Sequence, residues 1–119
     1  MNMGDLALQR VPVHLTGQGK AWSIRHSDFI GPRLETALRP FARWIRHVTV
    51  WLEDVNGPRG GVDQRCRITL HLKRRGPVTV EAQATTRYAA IAKAAVRVRN
   101  VLSRRLERNS RPRRELSWA

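Results

Sequence analysis

Cysteine, long apolar runs and acidic residues are all scarce in this chain of 119 residues. The single cysteine, Cys66, excludes a disulfide within the chain and so favours a reducing compartment. No apolar run approaches the roughly 20 residues that a helix needs to cross a bilayer. The N-terminus also lacks the charged start and apolar stretch of a secretory signal. We therefore expect a cytoplasmic protein without a membrane partner.

The scarcity of acids leaves a strongly basic chain. Nine Asp and Glu residues stand against 23 Lys and Arg residues, which gives a formal net charge of +14 at pH 7. From Arg97 to Arg114 there are eight Arg residues and one acid, Glu107. A surface that serves only solubility usually mixes both signs of charge. The charge pattern therefore predicts a polyanionic partner.

The longest predicted helix covers residues 85–109, which contain neither Gly nor Pro. Its apolar residues recur at steps of three and four and form one stripe: Tyr88, Ile91, Ala95, Val98, Leu102 and Leu106. Basic residues follow the same periodicity on another side: Lys93, Arg97, Arg104 and Arg108, with Arg87 near the start. The hydroxyl of Thr85 or Thr86 can cap the N-terminus. One face suits a protein core, and the other suits an anionic partner.

Alternation of apolar and polar residues predicts four strands, at residues 10–16, 47–55, 65–73 and 78–84. Pro12 favours an edge position for the first strand, because proline cannot donate to a sheet ladder. A second helix is expected to begin at a cap formed by Ser27 or Asp28. Its apolar stripe contains Ile30, Leu34, Leu38, Phe41 and Ile45. Pro32 is tolerable in a first turn, whereas Pro40 predicts a kink or an early break.

The predicted fold class is α+β with the order β-α-β-β-β-α. A right-handed crossover makes the first two strands parallel, and the last three strands form a meander. Each helix has one apolar stripe to bury, so both are expected on the same face of a four-stranded mixed sheet. We predict one domain at residues 10–109, with flexible tails at 1–9 and 110–119.

No arrangement of residues predicts catalysis, a metal or a cofactor, and we expect a protein that is not an enzyme and has no small-molecule substrate. The four histidines lie on different elements without metal-ligand spacing: His14, His26, His47 and His71. Three acids flank the loop at 56–64 and are expected to pair with Arg59 and Arg65 or to form Asx turns: Glu53, Asp54 and Asp63.

The glycines of the loop at 56–64 do not form a phosphate cradle, because the loop joins two strands instead of opening a helix. Cys66 lies on the inner row of a strand, which indicates a small buried side chain. Three tryptophans could stack on bases: Trp22, Trp51 and Trp118. Trp44 is expected in the core or at a helix edge. Recognition of the RNA backbone by Lys and Arg is the stronger inference.

The order of elements, and above all the sequence Y-A-A-I at positions 88–91, resembles the ribosome hibernation-promoting factors. This family is also known as the ribosome-associated translation inhibitors or sigma-54 modulation proteins. The resemblance covers about residues 11–108 and implies a fold similar to double-stranded-RNA-binding domains. Members bind the small ribosomal subunit in the channel used by mRNA and tRNA, and basic residues on their helices contact ribosomal RNA. This chain departs from the family at Thr86, Arg87 and Ala92, where members usually carry acids, and at Pro40.

The resemblance and the charge pattern together predict RNA contacts at ten positions: Arg87, Tyr88, Lys93, Arg97, Arg104, Arg105, Arg108, Lys73, Arg74 and Arg75. The implied function is ribosome hibernation, a stress response that regulates translation. Two alternatives stay open. The open sheet face around Trp51, Arg67 and His71 could contact an acidic protein, or the chain could bind nucleic acid without preference for ribosomes. The sequence leaves the oligomeric state undetermined.

Overall fold

The computed structural model of the protein describes residues 4–8, 11–18, 21–55 and 63–117, and it describes the side chains of 11–18, 21–55 and 63–106. The elements follow in the order β1 (Gly4–Leu8), β2 (Val11–Gly17), α1 (Ile24–Leu38), a 3-10 helix (Arg39–Trp44), β3 (Ile45–Asp54), β4 (Gln64–Leu72), β5 (Val78–Ala84) and α2 (Arg87–Ser117). The loop predicted at 56–64 lies mostly outside the described residues, and Trp118 lies outside them entirely.

The strands form one sheet in the order β1-β2-β3-β4-β5. β2 and β3 are parallel, and β3, β4 and β5 form an antiparallel meander. Inward-facing side chains are buried at every second position of β4 and β5. They share one apolar core with both helices, which pack against each other on the same sheet face. From β2 onward, the predicted α+β class and the β-α-β-β-β-α order are confirmed.

The N-terminal segment adds a fifth strand to the predicted four. β1 pairs antiparallel with β2, from Gly4 opposite Leu15 to Leu8 opposite Val11. Pro12 therefore does not lie on an edge strand, contrary to the prediction. It lies opposite Ala7, one residue before the pairing of β2 with β3 begins at Val13. β1 covers backbone groups of β2 that an edge strand would leave unpaired.

The first helix begins earlier than Ser27 or Asp28. Its N-cap is Ser23, whose hydroxyl accepts a hydrogen bond from the backbone N–H of His26 at 3.3 Å. Pro32 consequently lies inside α1 and not in its first turn. The helix ends at Leu38, and Pro40 stands at the start of the 3-10 helix. The predicted break at Pro40 is confirmed, because proline cannot supply the N–H that would continue the α-helix.

The second helix starts as predicted and ends later. The hydroxyl of Thr86 accepts from the N–H of Ala89 at 3.0 Å and so caps α2. The predicted apolar stripe faces the core, with the exception of Tyr88, which is 38% exposed. The helix continues to Ser117, through most of the segment predicted as a tail at 110–119. This segment includes Pro112, so the helix continues there against the preference of that residue.

Trp22 belongs to the core and is not available to stack on a base. Its side chain is 6% exposed, and its indole Nε1 donates to the carbonyl of Thr16 at 2.6 Å. Nearby, a Cβ atom on Gly17 would lie 2.4 Å from the carbonyl oxygen of Leu52. The chain therefore needs a glycine at the end of β2, where its backbone approaches that of β3. The buried Trp22 side chain lies near this position.

Candidate nucleic-acid interface

A row of basic side chains runs along the outer side of α2, beside the free edge of β5. Lys93 Nζ donates to the backbone carbonyl of Gln83 at 3.4 Å, and Arg97 Nη1 donates to the backbone carbonyl of Glu81. β5 is the last of the strands that the structure describes in the sheet, and none of them lies beyond it to pair with these carbonyls. The two cations cover part of that edge and are held in place by it.

Each of these cations keeps donors for a further partner. A guanidinium has five N–H donors and an ammonium has three, and Arg97 and Lys93 each use one on β5. Arg104 is exposed on the same side of the helix. Among the side chains that the structure describes, none of the three forms an ion pair. We call Lys93, Arg97 and Arg104 the α2 row; the side chain of Arg108 lies outside the described residues.

The turn between β4 and β5 carries the second predicted group of cations. Lys73, Arg74 and Arg75 are all exposed, and Arg74 takes a left-handed backbone conformation with φ of 62°. The N–H of Lys73 donates to the carbonyl of Trp44 at 2.8 Å. This bond ties the turn to the end of the 3-10 helix, where the guanidinium of Arg43 lies 4.2 Å from the centre of the Trp44 ring.

The α2 row leads toward this turn. The bonds from Lys93 to Gln83 and from Arg97 to Glu81 show that α2 runs back along β5. Three strand residues, from Glu81 to Val78, span about 10 Å, which equals about seven residues of helix. Arg104 therefore lies about level with Val78, at the end of the sheet where the turn begins. The Arg104 end of the α2 row and the turn therefore lie at the same end of the sheet.

Arg87 and Tyr88 lie at the other end of the sheet, where both helices begin. The Tyr88 ring is 4.7 Å from the ring of His26 and 5.0 Å from that of Phe29. Burial and, to a smaller extent, the charge of Arg87 lower the pKa of His26. His26 also lies 2.8 Å, Nδ1 to Oγ, from Ser23. The Tyr88 ring at the start of α2 therefore contacts the start of α1. The predicted contact residues thus do not all lie at one end of the sheet.

Arg105, the remaining predicted residue, is exposed and follows Arg104 by one position. One residue turns a helix by about 100°, so Arg105 does not lie in the α2 row. Two further arginines of the helical face, Arg33 and Arg99, were not among the predicted contacts. The periodicity of α2 alone does not single out Arg99. Its relation to Arg33 depends on how the two helices pack.

The opposite, open face of the sheet carries two arginines that are paired with acids. Arg65 pairs with Glu53 at 3.0 Å, and Arg67 pairs with Glu81 at 3.3 Å. The pairing of Glu53 with Arg65 was predicted. Trp51 stands opposite Arg67 on the neighbouring strand and is half-buried. These paired arginines attract a polyanion less than the cations of the α2 row do.

Three histidines line up across the open face. The His47 ring stacks on that of His71 with 4.0 Å between centres, and its centre is 5.7 Å from that of His14. Burial lowers the pKa of His47, and the charges of His71, His14 and Arg46 lower it further. The charged form of His47 is therefore disfavoured relative to that of an exposed histidine. The described residues contain no group of three or more His, Cys, Asp or Glu arranged to hold a metal ion.

Cys66 occupies the buried position that its place in the strand predicts. Its side chain is fully buried, and burial raises the pKa of the thiol to about 12. A thiol with such a pKa stays protonated and is a poor nucleophile. Within the described residues, no helix is long and apolar enough to span a membrane.

Comparison with known protein families decides the relationship that the Y-A-A-I segment suggests. Residues 13–110 match the family described as sigma 54 modulation protein / S30EA ribosomal protein. The chain belongs to this family. The sigma 54 modulation / S30EA proteins are ribosome-associated factors. The match begins at Val13 within β2 and includes β3, β4, β5, α1 and α2 as far as residue 110. Comparison with curated protein sequences gives no match.

Two solved structures show the same fold. A ribosomal subunit interface protein from Coxiella burnetii is similar over 80% of this chain and 97% of its own, with a TM-score of 0.68 and 15% identity. The N-terminal domain of Protein Y from Thermus thermophilus is similar over 83% of this chain and 98% of its own, with a TM-score of 0.62 and 22% identity. The sigma 54 modulation / S30EA fold is thus retained here at low sequence identity.

Proposed function

We propose that this protein binds ribosomal RNA of the small ribosomal subunit through the α2 row and the β4–β5 turn. Bound there, it occupies the channel used by mRNA and tRNA and silences the ribosome. Membership of a ribosome-associated family supports the ribosome as partner. The observation that carries the choice of surface is the α2 row, whose three cations form no ion pair with any described side chain.

The mechanism requires occupancy and no chemical step. Lys and Arg side chains that meet phosphates release condensed counterions, which drives binding and makes it depend on salt. The contacts of Lys93 and Arg97 with the β5 edge hold these side chains before RNA arrives. Less side-chain freedom is then lost on binding. The protein acts in the cytoplasm, where it blocks ribosomes by filling space.

The open sheet face is the weaker candidate surface. Arg65 and Arg67 on this face are engaged by Glu53 and Glu81, and burial disfavours the charged form of His47. An acidic protein that docked there would have to compete with these carboxylates. Contacts between the α2 row and the RNA backbone displace no carboxylate of the protein. This difference favours RNA over an acidic protein as the partner.

Sedimentation with purified ribosomal subunits tests the proposal. The protein is mixed with small and large subunits separately and run through sucrose gradients at low and at physiological salt. We expect it to sediment with the small subunit at both salt concentrations. Equal distribution over both subunits, with release by a modest rise in salt, would instead identify a general nucleic-acid binder.

A further inference from the structure

An open groove separates α1 from α2 on the outer side of the helical layer. It has a volume of about 390 Å³ and is lined by Pro32, Thr36, Ala37, Ala92, Ala95 and Val96, with two arginines at its margin. Three of its eight lining residues are alanines, so the helices leave space that larger side chains would fill. Val96 is 59% exposed, although it is a large apolar residue. The helices therefore present an apolar slot to solvent.

Two guanidinium groups flank the slot. Arg33 belongs to α1, and its guanidinium carbon lies 3.6 Å from the centre of the Phe29 ring. Its Nη1 also donates to the backbone carbonyl of Phe29 at 3.3 Å. Arg99 belongs to α2 and is exposed. Neither arginine forms an ion pair among the side chains that the structure describes, and no acid lines the groove.

A slot of this kind suits a ligand that is flat and apolar in one part and anionic in another. A nucleotide meets both conditions, since its base has two apolar faces and its phosphate accepts the paired N–H groups of a guanidinium. Arg33 is already oriented by stacking on Phe29, which fixes the plane that it offers. The net charge of +14 favours RNA over a peptide with a single acidic residue.

We propose that the groove between α1 and α2 holds one unstacked nucleotide of the bound RNA, with its base against Val96 and the alanines and its phosphates on Arg33 and Arg99. The proposal rests on the RNA-binding function proposed above. It adds a contact that the α2 row cannot make, because that row meets only the RNA backbone. Single-stranded RNA can turn a base outward, whereas a regular duplex keeps its bases stacked.

Filling the groove tests this site without changing the charge of the protein. In the Ala92→Leu variant, a larger side chain occupies the slot that the base needs. We expect its affinity for a single-stranded RNA of mixed sequence to fall about tenfold, as for loss of one stacked base. The salt dependence of binding and the affinity for a duplex RNA of the same composition should not change. The Asn100→Leu variant adds bulk on the same helix outside the groove and should bind like the unsubstituted protein.

A second variant separates groove filling from misfolding. Val96→Ala removes an exposed wall of the slot, and we expect a severalfold loss of single-strand affinity with an unchanged melting temperature. If both variants bind single-stranded RNA as the unsubstituted protein does, the groove does not hold a base. An equal loss of affinity for single strand and duplex would also overturn the proposal. Neither result bears on the role of the α2 row. Replacing the three cations of that row by alanine tests the proposed function separately.

Discussion

Replacing Lys93, Arg97 and Arg104 together by alanine is expected to lower the affinity for small ribosomal subunits about 100-fold at physiological salt. Each side chain that meets a phosphate contributes about 1 kcal/mol net. Three such losses add up to about 3 kcal/mol, and each 1.4 kcal/mol is a factor of ten in affinity. The slope of log affinity against log salt should become shallower by about 2 to 3, since three phosphate contacts are lost. Titration of labelled subunits at several salt concentrations measures both quantities.

A second triple variant removes the same charge elsewhere. Arg25, Arg39 and Arg67 are exposed or half-buried and lie off α2, and two of them already pair with acids, Glu35 and Glu81. Their replacement by alanine should cost less than about tenfold in affinity, because only the long-range field weakens. Equal losses in the two triple variants would show that total charge, and not the α2 row, determines binding.

Replacing Ile91 by alanine is expected to lower the free energy of unfolding by about 2–5 kcal/mol. Ile91 is completely buried where α2 packs on the sheet. Truncation removes apolar contacts and leaves a cavity that the surrounding strands cannot fully close. Val96→Ala is the matched control on the same helix, because Val96 is 59% exposed. Its effect should stay within about 0.5 kcal/mol.

Urea unfolding followed by circular dichroism measures this difference. The midpoint should fall for Ile91→Ala while the slope with urea stays unchanged. The experiment also tests the rotation of α2, because Ile91 and Lys93 lie about 160° apart around the helix axis. Equal destabilisation by the two variants would mean that α2 is rotated differently, and the α2 row would then not face outward.

The elements with strong periodicity could be predicted from the sequence. The stripe of Ile91, Val98 and Leu102 predicted which side of α2 is buried. The same helical period placed the basic residues on another side. Pro40 predicted the end of α1, since it cannot supply the N–H that continues an α-helix. Alternating residues predicted β3, β4 and β5 because each has one buried and one exposed face.

Local patterns could not predict features that depend on tertiary packing. β1 is a strand because β2 offers it an unpaired edge, and its own five residues carry no clear alternation. Ser23 and Ser27 are both residues that favour a cap, and residue type alone does not decide between them. The predicted contact residues were identified by type, but their division between two ends of the sheet required the fold.

The groove illustrates the same limit. Arg33 and Arg99 are 66 positions apart, and nothing in their local sequence relates them. Packing of α1 against α2 places them beside one apolar slot. By contrast, Lys93 and Arg97 lie on one helix, so the period of 3.6 residues was enough to place them together.

The equilibrium affinity for the small subunit with an empty and with a filled channel tests the central proposal most directly. Labelled protein is titrated at physiological salt into purified small subunits, either alone or preloaded with mRNA and tRNA. Competition for the channel predicts strong binding to empty subunits and at least a tenfold loss when mRNA and tRNA are present. Equal affinity for empty and preloaded subunits would contradict it and would place the protein elsewhere on the ribosome.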